Sequence, residues 1–294
     1  MDEQEWLAER FETQRTHLQG VAYRMLGSLS EAEDAVQEAW FRLSRSDSSD
    51  IENLGGWLTM VVARVCLDML RSRKSHREES LDAHVPERFV RSEAGINPER
   101  EAMLADSVGL ALLVVLERLT PAERLAFVLH DLFAMPFEEI APIVGRSPVA
   151  ARQLASRARR RVRGADTVSE ADLSRQREVV EAFLAASRNG DFHALLAVLD
   201  SHVVVRADHA AVSPGAAMEM HGASDVAGQA LIFTRRARYA QLALVNGSIG
   251  LIVAPRGRLI LVMAFKIAGG KIKEIEVIAD PERLRQVDLA ILNG

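Results

Sequence analysis

The segment that most restricts the fold of this chain runs from residue 136 to 163, PFEEIAPIVGRSPVAARQLASRARRRVR. It predicts a short helix from Phe137 to Val144, which Gly145 ends. Ser147 then caps a second helix that opens with Pro148, because a proline at the first helical position forfeits no hydrogen bond. Two helices joined by a short turn containing glycine predict a helix-turn-helix.

The second of these helices has two different faces on a helical wheel. One face carries small and aliphatic residues suited to close packing: Ala151, Leu154, Ala155, Ala158 and Val162. The opposite face carries Val149, Arg152, Gln153, Ser156, Arg157, Arg160 and Arg163. Guanidinium groups bind phosphates and guanine edges, and residues 146–163 hold seven arginines and no acid. A solvated face normally mixes charges, so this helix predicts DNA contact.

Composition limits the remaining function classes. The chain has 294 residues, 48% of them hydrophobic, which predicts two or three domains with real cores. A net charge of −5 excludes a protein that coats nucleic acid through bulk positive charge, and the cations cluster instead at 71–77 (RSRKSHR) and in the arginine helix. Cys66 is the single cysteine, so an intramolecular disulfide and a cysteine-built zinc site are excluded. We expect Cys66 to be buried in a helix, and no cofactor or metal.

The sequence predicts neither export nor a membrane segment. The amino terminus, MDEQEWLAERF, is charged and amphipathic, unlike a secretory leader. The longest apolar runs are too short to cross a bilayer. We therefore expect a cytoplasmic protein that does not bind membranes.

The motifs divide the chain into a helical domain (5–77), a polar linker (78–107), the helix-turn-helix domain (108–165) and a carboxy-terminal domain (173–290). In the first domain, apolar spacing predicts a helix that stops at Gly27. Ser30 is predicted to cap the next helix, with Glu33 as its reciprocal partner. A third helix is predicted from Trp57 to about Lys74. Later in the chain, helices are predicted from Arg100 to Leu119, and from Pro121 to Phe133 with Thr120 as the cap.

The carboxy-terminal domain, called the tail below, is predicted to mix helices with a sheet. Apolar spacing predicts a helix from Arg177 to Arg188 and a further helix holding Leu195, Leu196 and Leu199. Alternation with period two then predicts strands at His202–Arg206, Gln241–Val245, Ile249–Ala254, Leu259–Ile267 and Lys271–Ile278. Glycine-bounded strands beside a helical pair indicate an α+β fold.

Taken together, these residues resemble extracytoplasmic-function (ECF) sigma factors that carry a SnoaL-like (NTF2-like) carboxy-terminal domain, of the sigma factor J type. The stretches AEDAVQEAW and WLTMVVARVCLDMLRSRK are similar to sigma region 2, and LERLTPAERLAFVLHD and ARQLASRARRRV to region 4. The tail stretches VVEAFLAASRNGDFHALLAVLDSHVVVRAD and QLALVNG are similar to the SnoaL-like part. The resemblance implies a multidomain chain, with two all-α helical domains followed by an α+β cone-shaped domain.

The resemblance also implies partners and roles, with no covalent chemistry. Core RNA polymerase would be bound through its β′ clamp helices and β flap, with Asp34, Gln37 and Glu38 on the clamp helices. A face of acids and amides is otherwise simply solvated. Promoter DNA would be bound at the −10 element by Arg64, Asp68, Arg71, Arg73 and Lys74, although Asp68 fits equally a helical partner of Arg64 or Arg71. At the −35 element, Arg152, Gln153 and Ser156 would contact bases, with Val149 beside them, and Arg157, Arg160 and Arg163 would contact phosphates.

The sequence departs from the family pattern in several places. In the linker, His84–Arg88 (HVPER) replaces a Trp-Leu-Pro-Glu-Pro element. In the tail, Asp208 is followed by His209 and two alanines in place of three glycines. Residues 280–284 read DPERL where the family has Asn-Pro-Asp-Lys-Leu. These changes bear on the contact that the tail is expected to make with regions 2 and 4. Pro142 lies inside the first helix of the motif and predicts a kink there.

Two alternatives to a sigma factor remain at this point. SnoaL-like domains also occur as enzymes, and the tail residues that would supply an acid–base pair are Asp208, His209, His221 and Asp225. A small apolar ligand in the tail is a related hypothesis. The second alternative is a DNA-binding regulator of another class, which would leave residues 11–77 without a role.

Overall fold

The structure is a computed structural model that describes residues 3–46, 51, 53–79, 109–164, 169–212, 218–232, 234–237 and 239–292. Within these residues the chain forms two compact units. The first contains the described residues before 109 together with Leu116–Arg159, and the second contains Gly109–Val115 and the described residues from Arg160 onward. The predicted linker, 78–107, lies outside the described residues apart from its first two positions. The domain bounds inferred from motifs stay a prediction.

The first unit begins with three helices, α1 (Glu3–Leu26), α2 (Leu29–Leu43) and α3 (Leu54–Glu79). Their apolar side chains repeat at helical spacing and are removed from solvent where the helices meet, which supplies most of the driving force for packing. The fully buried residues include Leu18, Met25, Val36, Leu43 and Leu58. Cys66 is buried in α3 as predicted, and this burial raises the pKa of its thiol to about 12.

The prediction that Ser30 caps α2 is wrong. The cap is Ser28, whose hydroxyl accepts a hydrogen bond from the backbone N of Glu31 at 3.5 Å. Leu29 therefore becomes the first helical residue and is buried. Ser28 and Ser30 are each followed three residues later by a glutamate, so the local pattern fits both positions.

The chain continues through α4 (Leu110–Glu117) and α5 (Pro121–Phe127). The predicted helix before Leu110 lies outside the described residues up to 108. Thr120 caps α5 in the predicted reciprocal arrangement, with Glu123 N donating to Thr120 Oγ1 at 3.3 Å and Thr120 N donating to Glu123 Oε2 at 3.2 Å. Beyond Phe127 the regular helix that we predicted gives way to a single π-helical turn, Val128–Leu132. Two helices follow, α6 (Phe137–Val144) and α7 (Pro148–Arg163).

In the first unit, α5 and α6 pack against α3. Arg124 of α5 is buried there, and its Nε donates to the backbone oxygen of Arg24 at 3.1 Å. Burial lowers the pKa of Arg124 to about 10. After the π turn, the ring of Phe133 lies 5.3 Å from the Arg24 guanidinium and meets the His17 ring edge-on at 5.2 Å.

The second unit contains an α+β domain, as predicted. Its helices are α8 (Glu170–Asn189), α9 (Phe192–Val198), α10 (Ala223–Ile232), α11 (Thr234–Ala237) and α12 (Pro281–Gln286). Its strands are β1 (Leu199–Ala207), β2 (Glu219–His221), β3 (Ala240–Val245), β4 (Ser248–Val253), β5 (Leu261–Ala268), β6 (Lys271–Ile278) and β7 (Leu289–Ala290).

The strands form one sheet in the order β2-β1-β6-β5-β4-β3-β7. Only the β1–β6 pair is parallel among the described strands. Apolar residues from α8, α9 and α10 pack on one face of the sheet around Phe183 and Phe265, whose ring centroids are 5.5 Å apart. All five predicted strands are present, whereas β2 and β7 were not predicted. Leu199, predicted as helical, is the first residue of β1.

Gly250 shows how closely the sheet of the second unit is packed. A Cβ atom at this position of β4 would lie 2.5 Å from the Val245 side chain and 2.6 Å from the backbone oxygen of Met263. Both neighbours belong to adjacent strands, so neither has room to move.

None of the described helices is both long enough and apolar enough to span a bilayer.

Candidate nucleic-acid interface

The helix-turn-helix has the boundaries that the sequence predicts. Gly145 ends α6 in the left-handed region at φ 68°, which glycine adopts without steric cost. The backbone N of Ala150 donates to Ser147 Oγ at 3.3 Å, so this serine caps α7, with Pro148 as its first residue. Helix α6 runs continuously through Pro142.

Helix α7 separates a packed face from an exposed face. Four of the five residues predicted to pack are buried, namely Ala151, Ala155, Ala158 and Val162, and Leu154 is partly buried. All seven predicted contact residues are exposed: Val149, Arg152, Gln153, Ser156, Arg157, Arg160 and Arg163. The helix contains no acid, so its exposed face has a strong positive potential.

Arg157 and Arg159 of α7 are paired with acids from neighbouring elements. Arg157 Nε lies 3.6 Å from Oε1 of the buried Glu123, and Arg159 Nε bonds to Asp131 Oδ1 at 2.5 Å. A third arginine, Arg152, places its guanidinium carbon 5.2 Å from the ring centroid of Phe137. These contacts orient the helix on its support, and Gln153 and Ser156 lie exposed between them.

The predicted −10 residues on α3 have different environments. Arg64, Asp68 and Arg71 are exposed, and Arg71 Nη1 lies 3.8 Å from Asp68 Oδ1, so the pairing that we left open for Asp68 is present. Arg73 is partly buried, forms an ion pair with Glu31 of α2, and donates from Nη1 to the backbone oxygen of Leu26 at 3.4 Å. Lys74 follows on the same helix.

The predicted polymerase-binding face lies on α2. Asp34 and Gln37 are exposed, and Glu38 Oε1 accepts a hydrogen bond from Arg42 Nε at 2.9 Å. The sequence analysis missed Phe41, which is 45% exposed. At 100° per residue it falls between Gln37 and Asp34, at the centre of this polar face. Phe41 lies seven residues after Asp34, about two helical turns, so a helical wheel of the sequence places it on the same face.

The residues proposed for catalysis in the tail do not converge. Asp208 is buried and accepts hydrogen bonds from the backbone N atoms of Ala211, Ala279 and Asp280 at 3.0, 2.9 and 2.9 Å. These bonds use its acceptor positions to join the end of β1 to the end of β6. His221 pairs with Glu219 at 3.1 Å and lies opposite Val204 in β1, far along the strand from Asp208.

His209 and Asp225 are exposed. A cavity of about 240 Å³ in the tail is lined by six aliphatic residues and by none of the four proposed catalytic residues. Its lining consists of Ala210, Ala211, Val253, Ile260, Leu261 and Ala279. The lining therefore offers no acid–base pair.

Within the second unit, the tail contacts both ends of the helix-turn-helix domain. The side-chain Oε1 of Gln241 accepts a hydrogen bond from the backbone N of Ala111, in the first turn of α4, at 3.1 Å. Ile291 N, just after β7, donates to the backbone oxygen of Val162, in the last turn of α7, at 2.8 Å. The first helical turn has unpaired N–H groups and the last has unpaired carbonyls, so each contact satisfies a helix end.

Comparisons with known proteins identify two sigma-factor regions in this chain. The family profile for Sigma-70 region 2 matches residues 11–76, and the profile for Sigma-70 region 4 matches residues 109–162. The chain is 34% identical over 288 residues to the probable ECF RNA polymerase sigma factor SigI of Mycobacterium tuberculosis, covering 97% of each chain. It is 37% identical over 286 residues to the ECF RNA polymerase sigma factor SigJ of the same species, covering 93% of this chain and 91% of the relative.

The crystal structure of SigJ is similar at 37% identity, covers 94% of this chain and 98% of that one, and has a TM-score of 0.46. The matches to Sigma-70 regions 2 and 4 define the chain as a transcription initiation factor. The identity and coverage of the sequence relatives place it more narrowly: it belongs to the family of ECF RNA polymerase sigma factors.

Proposed function

We propose that this chain binds core RNA polymerase through α2 and directs it to promoters, with α3 on the −10 element and α7 on the −35 element. The observation that carries this proposal is the exposed face of α7, where all seven predicted contact residues reach solvent and no acid is present. A helix-turn-helix uses its second helix in the major groove, and the first residues of that helix contact base edges. Arg152, Gln153 and Ser156 occupy those positions, and Arg157, Arg160 and Arg163 lie further along, for phosphates.

The polymerase-binding face consists of Asp34, Gln37, Glu38 and Phe41 on α2. An exposed aromatic side chain surrounded by polar residues is the composition found at energetically important protein interfaces. The two acids favour a basic surface, as the β′ clamp helices would offer. Glu38 must exchange its bond to Arg42 for a contact with the polymerase, or keep both.

The −10 element is proposed to bind to the exposed side of α3, at Arg64, Asp68 and Arg71. Separating the strands costs roughly a few kcal/mol per base, and contacts to the separated strand offset this cost. Arginines follow the phosphates, while Asp68 supplies an acceptor for a base amino group. Because core polymerase fixes the spacing of α3 and α7, two individually weak contacts act together with a high effective concentration.

Run-off transcription tests this function directly. Core RNA polymerase is mixed with the full chain and with duplexes that the resulting complex selects from a random pool. We expect transcripts with discrete start sites that require the chain, and none of these from core polymerase alone. Failure of the chain to co-elute with core polymerase, together with unchanged transcripts, would contradict the proposal.

The tail is proposed to modulate this activity by holding region 4. Its contacts with Ala111 N and Val162 O support this role, because they lie at the beginning and the end of that region. We expect Gln241→Ala to change transcript yield without unfolding the tail. Gln176→Ala is the matched control, since Gln176 Oε1 accepts from Ile249 N at 3.0 Å within the tail itself. Equal yields from both variants and the parent chain would exclude modulation through this contact.

A further inference from the structure

The side chain of Arg152 lies beside the ring of Phe137, one member of an aromatic pair that has no part in the function proposed above. The ring of His130, in the π turn, stacks on the ring of Phe137, the first residue of α6, with centroids 3.9 Å apart and planes 28° from parallel. Phe137 is 7% exposed. The Arg152 guanidinium carbon lies 5.2 Å from the same ring centroid. The pair therefore connects the π turn, α6 and α7.

The pair is itself held in place by backbone bonds. His130 Nδ1 lies 3.0 Å from the backbone oxygen of Met135, and because that carbonyl only accepts, Nδ1 carries the proton and donates. Met135 N in turn donates to the backbone oxygen of Leu129 at 2.9 Å. Between them, Ala134 has a φ of 53°, a conformation that a non-glycine residue adopts only when its surroundings impose it. The His130 ring is therefore held both by its hydrogen bond to the Met135 oxygen and by its stacking on Phe137.

The π turn also holds the far side of α7. The extra residue per turn in a π helix alters the direction of the side chains that follow. His130 contacts α6 through Phe137, and the next residue, Asp131, bonds to Arg159 of α7 at 2.5 Å. Two successive residues of one turn therefore fix both helices of the helix-turn-helix.

Stacking an arginine on a ring has a specific consequence for DNA contact. A guanidinium that lies with its face on an aromatic ring keeps its N–H edge for hydrogen bonds. That edge is the part that binds O6 and N7 of guanine in the major groove. An arginine without such support loses conformational freedom when it binds, which opposes binding.

We propose that Phe137, oriented by His130, is a positioning residue that holds the Arg152 guanidinium for a guanine edge and so sets base preference in the −35 element. This inference rests on the proposed function of α7. Phe137 itself is too deeply buried to contact DNA. It acts only through Arg152.

The test uses the full chain assembled with core polymerase and a pool of promoter duplexes randomised over both elements. Selection with the parent chain and with Arg152→Ala first identifies the base position that loses preference. Phe137→Leu keeps an apolar side chain but removes the ring, and we expect it to reduce preference at that position about two- to fivefold. Preference at other positions should remain. Phe137→Tyr, which keeps the ring, should restore most of it.

Two controls separate positioning from a general structural effect. Ile143→Ala truncates another residue of α6 with the same 7% exposure, and should lower stability without changing base preference. In the Arg152→Ala background, Phe137→Leu should cause no further loss of preference, because its effect passes through the missing arginine. His130→Leu, which leaves Phe137 in place, provides a second variant if Phe137→Leu proves unstable.

Each result decides between the readings. Equal loss on all sequences, or the same loss of preference with and without Arg152, would overturn the positioning role. If Arg152→Ala changes preference while both Phe137→Leu and His130→Leu leave it unchanged, only the positioning role is wrong. If Arg152→Ala changes nothing, base contact by Arg152 fails, and the positioning role fails with it.

Discussion

The two cationic helices of this chain, α3 and α7, handle their charges differently. In α3, Asp68 lies beside Arg71, and Arg73 is bound to Glu31 and to a backbone oxygen. In α7 no residue of the helix itself is acidic, and neighbouring elements supply acidic partners, among them Glu123 to Arg157 and Asp131 to Arg159. Two arginines of α3, Arg71 and Arg73, therefore lie beside acids of region 2 itself, whereas the exposed arginines of α7 share their helix with no acid.

This difference predicts two kinds of DNA contact. Binding through α7 should depend strongly on salt, because each phosphate contact releases counterions. Binding through α3 should depend more on the shape of a separated strand and less on salt. In the proposed function each contact is weak alone, so promoter choice should depend on the polymerase that holds both helices on one duplex.

The largest effect is expected when binding to core polymerase is lost, because both DNA contacts depend on the polymerase. Asp34→Arg reverses a charge on the proposed polymerase-binding face, and a like-charge contact costs several kcal/mol. We expect promoter-specific transcripts and co-elution with core polymerase to fall about a hundredfold or more. Glu33→Arg makes the same charge change on an exposed residue one position away, off the stripe, and should have a much smaller effect. Comparable activity of the two variants would mean that the face is merely solvated.

A smaller effect is expected from Arg152→Ala, which removes the proposed base contact and leaves the rest of α7 intact. One bidentate contact contributes about 1–3 kcal/mol of discrimination. Binding to selected −35 sequences should weaken accordingly, roughly five- to a hundredfold, while binding to scrambled sequences should change little. The ratio of the two affinities, measured with polymerase at fixed salt, is the quantity to compare. An unchanged ratio would assign Arg152 to phosphates.

The salt dependence compares α3 and α7 directly. Arg160→Ala should weaken binding on all sequences and reduce the slope of log affinity against log salt by about one. Arg73→Ala should leave this slope nearly unchanged, because its charge is already balanced by Glu31. Instead it should lower stability by about 1–3 kcal/mol, since Glu31 and the Leu26 carbonyl lose a partner. Equal slopes for the two variants would remove the distinction between the helices.

The sequence alone predicted the structure correctly where neighbouring residues determine the local conformation. Gly145, Ser147 and Pro148 determine the turn of the helix-turn-helix by their own conformational preferences, and each was predicted. The pairing of Arg73 with Glu31 was not, because it joins residues far apart in sequence. The same holds for β2 and β7, strands of three and two residues that exist only through pairing with β1 and β3.

In the candidate site, too, the locally encoded features were predicted and the long-range contacts were not. Exposure of the seven α7 residues follows from helical spacing alone, and so does the burial of its small residues. The stack of His130 on Phe137 was not predictable, because it requires a π turn where the sequence pattern indicates a regular helix. Similarly, Asp208 was proposed for acid–base chemistry, whereas the backbone N–H groups of the nearby Ala211 and of the distant Ala279 and Asp280 give it a structural role.

The smallest effect is expected at the place where regions 2 and 4 meet in the first unit. His17 of α1 contacts the Phe133 ring, which also carries the Arg24 guanidinium, and its Nε2 lies 3.4 Å from Thr59 Oγ1. Burial lowers the pKa of His17 below its ordinary value of 6.5. The unfolded chain therefore takes up this proton first as pH falls, so stability is complete above that value and decreases below it.

His17→Gln should remove this pH dependence. Because the ring is partly exposed, solvent screens the effect, and we expect at most about 0.5 kcal/mol. The measurement is the difference in unfolding free energy between the parent chain and His17→Gln, followed from about pH 7.5 to about pH 5.5. The advantage of the parent chain should shrink as the solution becomes more acid. A difference that stays constant, or grows, would mean that protonated His17 is tolerated beside Arg24, and that the contact between the two regions does not depend on a neutral ring.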